Sequence, residues 1–191
     1  MEMARKLGFQ EEDFVLIYAG TMGYAQGLES VIKTAELLKD QTDIKFLFVG
    51  DGTEKPMLED LVKEKALDNV RFVDFQPVQE MPRYFSLASA SIVPLKKNKL
   101  FEGARPSKMF PALGSEVPVI YSGEGEAAQL VLSSGGGVVV EPENSQDLAR
   151  AIRALKDNPQ RREMGKKGRQ FVEKHYAWTE IIRNWLSAIG I

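Results

Sequence analysis

One repeating unit constrains this chain more than any other feature: a short apolar run, a loop containing glycine, then a helix with an apolar stripe. Residues 14–19 (FVLIYA), 44–49 (IKFLFV), 70–75 (VRFVDF), 90–93 (ASIV), 117–121 (VPVIY) and 137–140 (GVVV) supply the runs. They are mostly apolar without regular alternation, the pattern of strands buried on both faces. Between them fall helical stripes: Leu28, Val31, Ile32, Ala35, Leu37 and Leu38, then Met57, Leu58, Leu61 and Val62, then Ala127, Leu130 and Val131. Asn144 or Ser145 caps a later helix, and helices over 160–174 and 178–188 close the chain. Six such units predict an α/β fold: a doubly wound, parallel, six-stranded, Rossmann-like sheet with helices on both faces. Ligands bind such sheets beyond the carboxyl ends of the strands, near the point where strand order reverses. The loops at Gly20, Gly50, Gln76 and Glu102 are expected to gather there.

Composition excludes several classes. The net charge of −2 gives no sign of a nucleic-acid partner or a membrane surface. Cysteine is absent, which excludes disulfides and thiolate metal sites and agrees with a reducing, cytoplasmic setting. No apolar run reaches the roughly 20 residues of a spanning helix. There is no Ser/His/acid set, no histidine cluster and no DxD pair, so no metal site and no self-sufficient catalytic constellation is expected. The single histidine, His175, reads as a solvated or packing residue, and Trp178 and Trp185 as packing anchors of the last helix.

The stretch 100–120, LFEGARPSKMFPALGSEVPVI, is the candidate site. Pro106 is expected to open a helix with Ser107 and Lys108 in its first turn. A helix N-terminus presents unpaired N–H groups and the positive end of the macrodipole. With Lys108 and the small Gly103-Ala104 loop, this makes an anion site suited to phosphate. Lysine is disfavoured at that end of a helix, so its presence favours an anionic partner. Glu102 and Arg105 read either as a surface ion pair or with Glu102 accepting from sugar hydroxyls. Gly20-Thr21-Met22-Gly23 reads either as a backbone approach to a diphosphate or as a turn needing permissive residues. It matches neither GxGxxG nor GxxxxGK[ST]. Gly50-Asp51-Gly52 reads first as a plain Asp-Gly turn, although an acid ending the second strand binds ribose in dinucleotide sheets. The 96–99 run, KKNK, reads as a solvated mobile loop or an attractor of anionic groups.

Three segments together resemble the C-terminal, donor-binding half of family 4 (group 1) glycosyltransferases of the GT-B fold. They are FVLIYAGTMGYAQGLESVI, the middle from FLFVGDGTEKPMLEDLV to SIVPL, and FEGARPSKMFPALGSEVPVIYSGEGEAAQLV. The resemblance implies a nucleotide-diphosphate sugar donor, UDP- or GDP-linked, with no cofactor or obligatory metal. It implies sugar transfer to an acceptor in bacterial polysaccharide or glycoconjugate synthesis, with a membrane-associated acceptor held by the other half at the inner face. Gly20 and Gly23 would approach the diphosphate through backbone N–H groups, and Ser107 and Lys108 would neutralise it. Glu102 would contact the sugar, Gly103, Ala104 and Arg105 would hold hydroxyls or phosphate, and Phe75 and Gln76 would frame the base. The implied organisation is 1–13 as a linker from a missing N-terminal domain, 14–174 as the sheet domain and 175–191 as a crossover helix. The catalytic base belongs to the missing acceptor domain, so this fragment alone is expected to be inactive.

The chain departs from the family pattern at three places. Pro111 stands where many members carry a ribose-binding acid, with Glu116 as a displaced substitute. Thr21 and Gln26 replace an arginine and a lysine. These departures leave open a degenerate, non-catalytic nucleotide-sugar module. An NAD-binding domain is the third reading, opposed by the missing glycine fingerprint.

Overall fold

The computed structural model describes residues 2–189. Its strands are β1 (Phe14–Ala19), β2 (Ile44–Val49), β3 (Val70–Val73), β4 (Ala90–Pro94), β5 (Val119–Ser122) and β6 (Gly137–Val140). Its helices are α1 (Glu2–Lys6), α2 (Glu29–Leu37), α3 (Lys55–Glu64), α4 (Met81–Phe85), α5 (Met109–Gly114), α6 (Glu126–Ser134), α7 (Ser145–Lys156), α8 (Arg161–Tyr176) and α9 (Trp178–Ala188). The strands form one all-parallel sheet in the order β3-β2-β1-β4-β5-β6. Sequence order reverses between β1 and β4, where Leu16 lies opposite Ala90. Connections leave this point in opposite directions, which opens a crevice above it.

Alternation along the central strands explains why their sequences read as continuous apolar runs. Phe14, Leu16 and Tyr18 of β1 join Phe46 and Phe48 of β2 on one face, under Val31 and Ile32 of α2 and Leu148 and Ile152 of α7. Val15 and Ile17 join Leu47 and Val49 on the other, under Leu113 of α5 and Ala127 and Val131 of α6. Each fully buried side chain of this kind contributes roughly 1.5–3 kcal/mol, whereas an exposed ion pair contributes about 0–1. The two-faced core therefore fixes the fold, and the surface charges adjust it.

Strand boundaries shift from those expected in β3, β4 and β5, with β4 and β5 each ending one residue later, at Pro94 and Ser122. β3 stops at Val73, so Asp74 and Phe75 fall in the following loop. Asp74 there binds the buried Lys55 of α3. β5 starts at Val119 because Pro118 has no N–H for the ladder.

The first residues are helical over Glu2–Lys6, and Phe9 is buried against the second face with Met3, Ala4 and Leu7 beside it. At the other end, Trp178 and Trp185 are 78% and 61% exposed, so they do not anchor α9 to this domain as expected. They share an outer apolar face with Ile181 and Ile182. Tyr176, just before them, does pack, its ring 4.8 Å from that of Phe110.

Candidate functional site

The loops after β1 and β2 are sewn together by the backbone. Gly20 N–H donates to Val49 O (2.9 Å), Met22 N–H to Asp51 O (2.7 Å) and Glu54 N–H to Met22 O (3.0 Å). A β-carbon on Gly50 would lie 2.1 Å from Gly20 O, so only glycine allows the loops to pass this closely. Gly23 N–H donates to the Gln26 side chain at 3.1 Å. The two amides expected to face a diphosphate are thus already engaged within the protein. Thr21 N–H is different: it has no acceptor among the described residues. The hydroxyl of buried Tyr18 donates to Thr21 O and fixes that peptide from below.

Lys108 lies over this loop. Pro106, Ser107 and Lys108 form a turn before α5, with Met109 N–H bonded to Pro106 O and Phe110 N–H to Ser107 O, both at 3.2 Å. The helix therefore begins at Met109, and Lys108 sits at its cap rather than in its first turn as expected. The lysine stem crosses Gly20, and its Nζ is 5.8 Å from the centre of the Tyr18 ring. Burial holds its pKa below the ordinary lysine value. No carboxylate among the described residues pairs with it, which leaves a half-buried ammonium without a counter-charge.

The loop carrying Glu102 is held from α6. Glu126 N–H donates to Glu102 O at 2.8 Å. Arg105 Nη2 and Nε reach Glu126 Oε2 at 2.7 and 2.9 Å. The partner of Arg105 is therefore Glu126, not Glu102, and this pairing raises the arginine pKa. Ala104 N–H is taken by Phe101 O (3.0 Å). Glu102 is exposed and lines a small recess with Lys96 and Tyr121. Glu116 does not replace an acid at Pro111: it pairs with Arg169 of α8 at 3.3 Å. Residues 97–99 of the KKNK run are exposed, as expected. Lys96 Nζ sits 3.4 Å from the Tyr24 ring centre, and Lys97 pairs with Glu124 (3.6 Å) and Glu141 (3.5 Å).

Above the switch point lies a cavity of about 760 Å³. Phe75, Val78, Met81 and Phe85 make one apolar end. Gly20, Thr21 and Lys108 make the polar end, with Asp51, Gln76 and Pro111 also in the wall. Of the residues expected at the site, Gly20, Lys108, Phe75 and Gln76 line this space. Gly23, Glu102, Gly103, Ala104, Arg105 and Ser107 do not. Asp51, read from sequence first as a turn residue, is in the wall. So are Met81 and Phe85 of α4. Among the described residues no group of three or more His, Cys, Asp or Glu side chains is placed to hold a metal, and no helix is long and apolar enough to cross a membrane.

A parallel doubly wound sheet with a deep crevice at its switch point, apolar at one end and cationic at the other, defines a Rossmann-like nucleotide-binding class of domain. Within that class the chain belongs to the group 1 glycosyl transferases, whose family pattern matches residues 1–171. It is the C-terminal domain of the GT-B architecture. It is 26% identical over 190 residues to the putative colanic acid biosynthesis glycosyl transferase WcaI of Escherichia coli K12, covering 98% of this chain and 46% of that protein. The chain thus spans about half the length of this curated relative. The solved C-terminal domain of the group 1 protein LpcC from Francisella tularensis superposes with a TM-score of 0.75 at 21% identity, covering 93% of this chain and 92% of that one. Anabaena HepE, crystallised with UDP and glucose, superposes with a TM-score of 0.80 at 17% identity, covering 98% of this chain and 50% of that one.

Proposed function

We propose that this domain binds the nucleoside diphosphate of an activated sugar, UDP- or GDP-linked, for transfer of the sugar to an acceptor in polysaccharide or glycoconjugate synthesis. One observation carries this reading: Lys108, half-buried and without a carboxylate partner among the described residues, stands over Gly20 at the polar end of a nucleotide-sized crevice. Such a charge is unfavourable until an anion joins it. As the glycosidic bond breaks, negative charge grows on the departing diphosphate. A fixed ammonium beside the unengaged Thr21 amide stabilises that charge without reorganisation. Phe75 and Gln76 border the base. Glu102 contacts the sugar, with Gly103, Ala104, Arg105 and Ser107 along the loop that holds it. Gly20 acts by letting the loop pass closely under Lys108, and Gly23 holds the loop through its N–H bond to Gln26. The acceptor and the general base come from a companion domain, against which the outer face of α9 rests.

A second reading is a donor domain that no longer supports turnover. It is favoured by Gln26, whose side chain caps Gly23 N–H, and by Pro111 in the crevice wall. Calorimetry with UDP, GDP and NAD separates the readings. A nucleoside diphosphate that binds the native chain and not Lys108→Ala supports donor binding. Binding of neither diphosphate would sink it, and binding of NAD alone would replace it with an oxidoreductase domain.

A further inference from the structure

We propose that Asp51 recognises the ribose of the bound nucleotide, accepting hydrogen bonds from its 2′- and 3′-hydroxyl groups. This rests on the donor reading above and adds a specificity residue to it.

Strand order dictates how a nucleotide can lie in the crevice. Along the rim the loops after β3, β2 and β1 follow one another. The apolar end holds Phe75, after β3, and the cationic end holds Gly20, after β1, with Lys108 over it. A nucleotide with its base at the first and its phosphates at the second lays its ribose across the end of β2. Asp51 stands there.

The side chain suits that place. Among the described residues Asp51 is the one carboxylate in the crevice wall. Its Oδ1 accepts from Gly52 N–H at 2.7 Å, which fixes the direction of the group. Its Oδ2 has no partner among the described residues. The nearby buried Lys55 is bound instead to Asp74. The Asp51 carbonyl holds Met22 N–H, so the residue is tied to the phosphate-side loop. Pro111, in the same wall, offers no side-chain acceptor. A carboxylate with acceptor capacity left over matches a vicinal diol, which presents two donors.

The Asp51–Gly52 bond would also exist if Asp51 only shaped its turn, so the test must separate the two roles. UDP and GDP are each titrated against their 2′,3′-dideoxy analogues by calorimetry, with the native 191-residue chain and with Asp51→Ala and Asp51→Asn. The native chain should bind the ribonucleotide at least about tenfold more tightly than the dideoxy analogue, the scale of one hydrogen bond to a charged group. In Asp51→Ala that preference should collapse while dideoxy affinity stays put. Asp51→Asn should retain part of it. Equal native affinity for both sugars overturns the proposal, and needs no variant. So does a preference that survives in Asp51→Ala, or a variant that weakens both ligands equally, as a mere turn residue would. If the native chain binds neither UDP nor GDP, the donor reading falls first and this assignment with it.

Discussion

The Lys108 side chain lies across Gly20: a β-carbon on that glycine would sit 2.9 Å from Lys108 Cε and 3.5 Å from Nζ. Gly20 also has φ +138°, a conformation that side chains disfavour. The loop and the lysine are therefore one device, the glycine making the floor on which the ammonium rests.

Gly20→Ala should strain the loop and lift the lysine together. We expect a stability loss of about 1–3 kcal/mol and at least about tenfold weaker binding of UDP or GDP. Thermal unfolding and calorimetry measure the two. Unchanged affinity would detach the lysine from the phosphate.

Lys108→Met should behave oppositely on stability. It removes a half-buried charge that has no carboxylate partner among the described residues and keeps the apolar stem, so the nucleotide-free domain should hold or gain stability. Nucleoside diphosphate affinity should fall about 10–100-fold. A large loss of apo stability would instead mark Lys108 as a structural residue.

The depressed Lys108 pKa sets a pH dependence of definite sign. Its causes reduce to burial, and the unfolded value is the ordinary 10.5. Between the lowered folded value and 10.5 the unfolded chain binds more protons, so this group makes stability rise with pH across that window. Below the window the burial penalty is fully present. A bound diphosphate restores the charge, so binding in the window should take up a proton and weaken as pH rises. Calorimetry in two buffers of different ionisation enthalpy reads this uptake, and none at all would exclude Lys108 as the phosphate contact.

The two ties on the Glu102 loop should differ in weight. Arg105 and Glu126 are each 55% exposed, so Arg105→Ala should change stability by less than about 1 kcal/mol. Gly125 has φ +78°, and a β-carbon there would meet Glu102 O at 2.0 Å. Gly125→Ala should cost more than about 2 kcal/mol and displace the loop. Denaturant titration compares them, and equal losses would refute the ranking.

The last helix should be dispensable to this domain alone. Trp178→Ser and Trp185→Ser remove exposed rings and should alter stability by no more than about 0.5 kcal/mol. They should raise solubility by shrinking an apolar patch. A marked drop in melting temperature would place these side chains in the core.

The architecture was legible because its signal is local. FVLIYA and IKFLFV can hardly sit anywhere but the centre of a covered sheet, and the repeated strand–glycine–helix unit predicts parallel pairing. The site was legible in part. Lys108 stood out by type and position, although the helix placed under it starts at Met109, because the Pro106–Lys108 turn comes before it; Phe75, read from its own sequence as the end of a strand, entered only through the family resemblance. Asp51 was harder to weigh, since an Asp-Gly pair makes a turn with or without a ligand. Trp178 and Trp185 misled because large aromatic residues usually bury their rings, and their exposure depends on which neighbours the domain offers.

By itself, then, the sequence determined the strands, the glycine loops between them and the rim where those loops emerge, since apolar periodicity and turn chemistry are properties of neighbouring residues. Only the tertiary structure decided that Arg105 takes Glu126 over Glu102, that Gly20 and Gly23 N–H groups are already engaged, and that Lys108 has no carboxylate beside it among the described residues. Those choices turn on ångström-scale distances between segments far apart in the chain. The competing pairings differ by about a kcal/mol or less, so only the packed backbone selects among them.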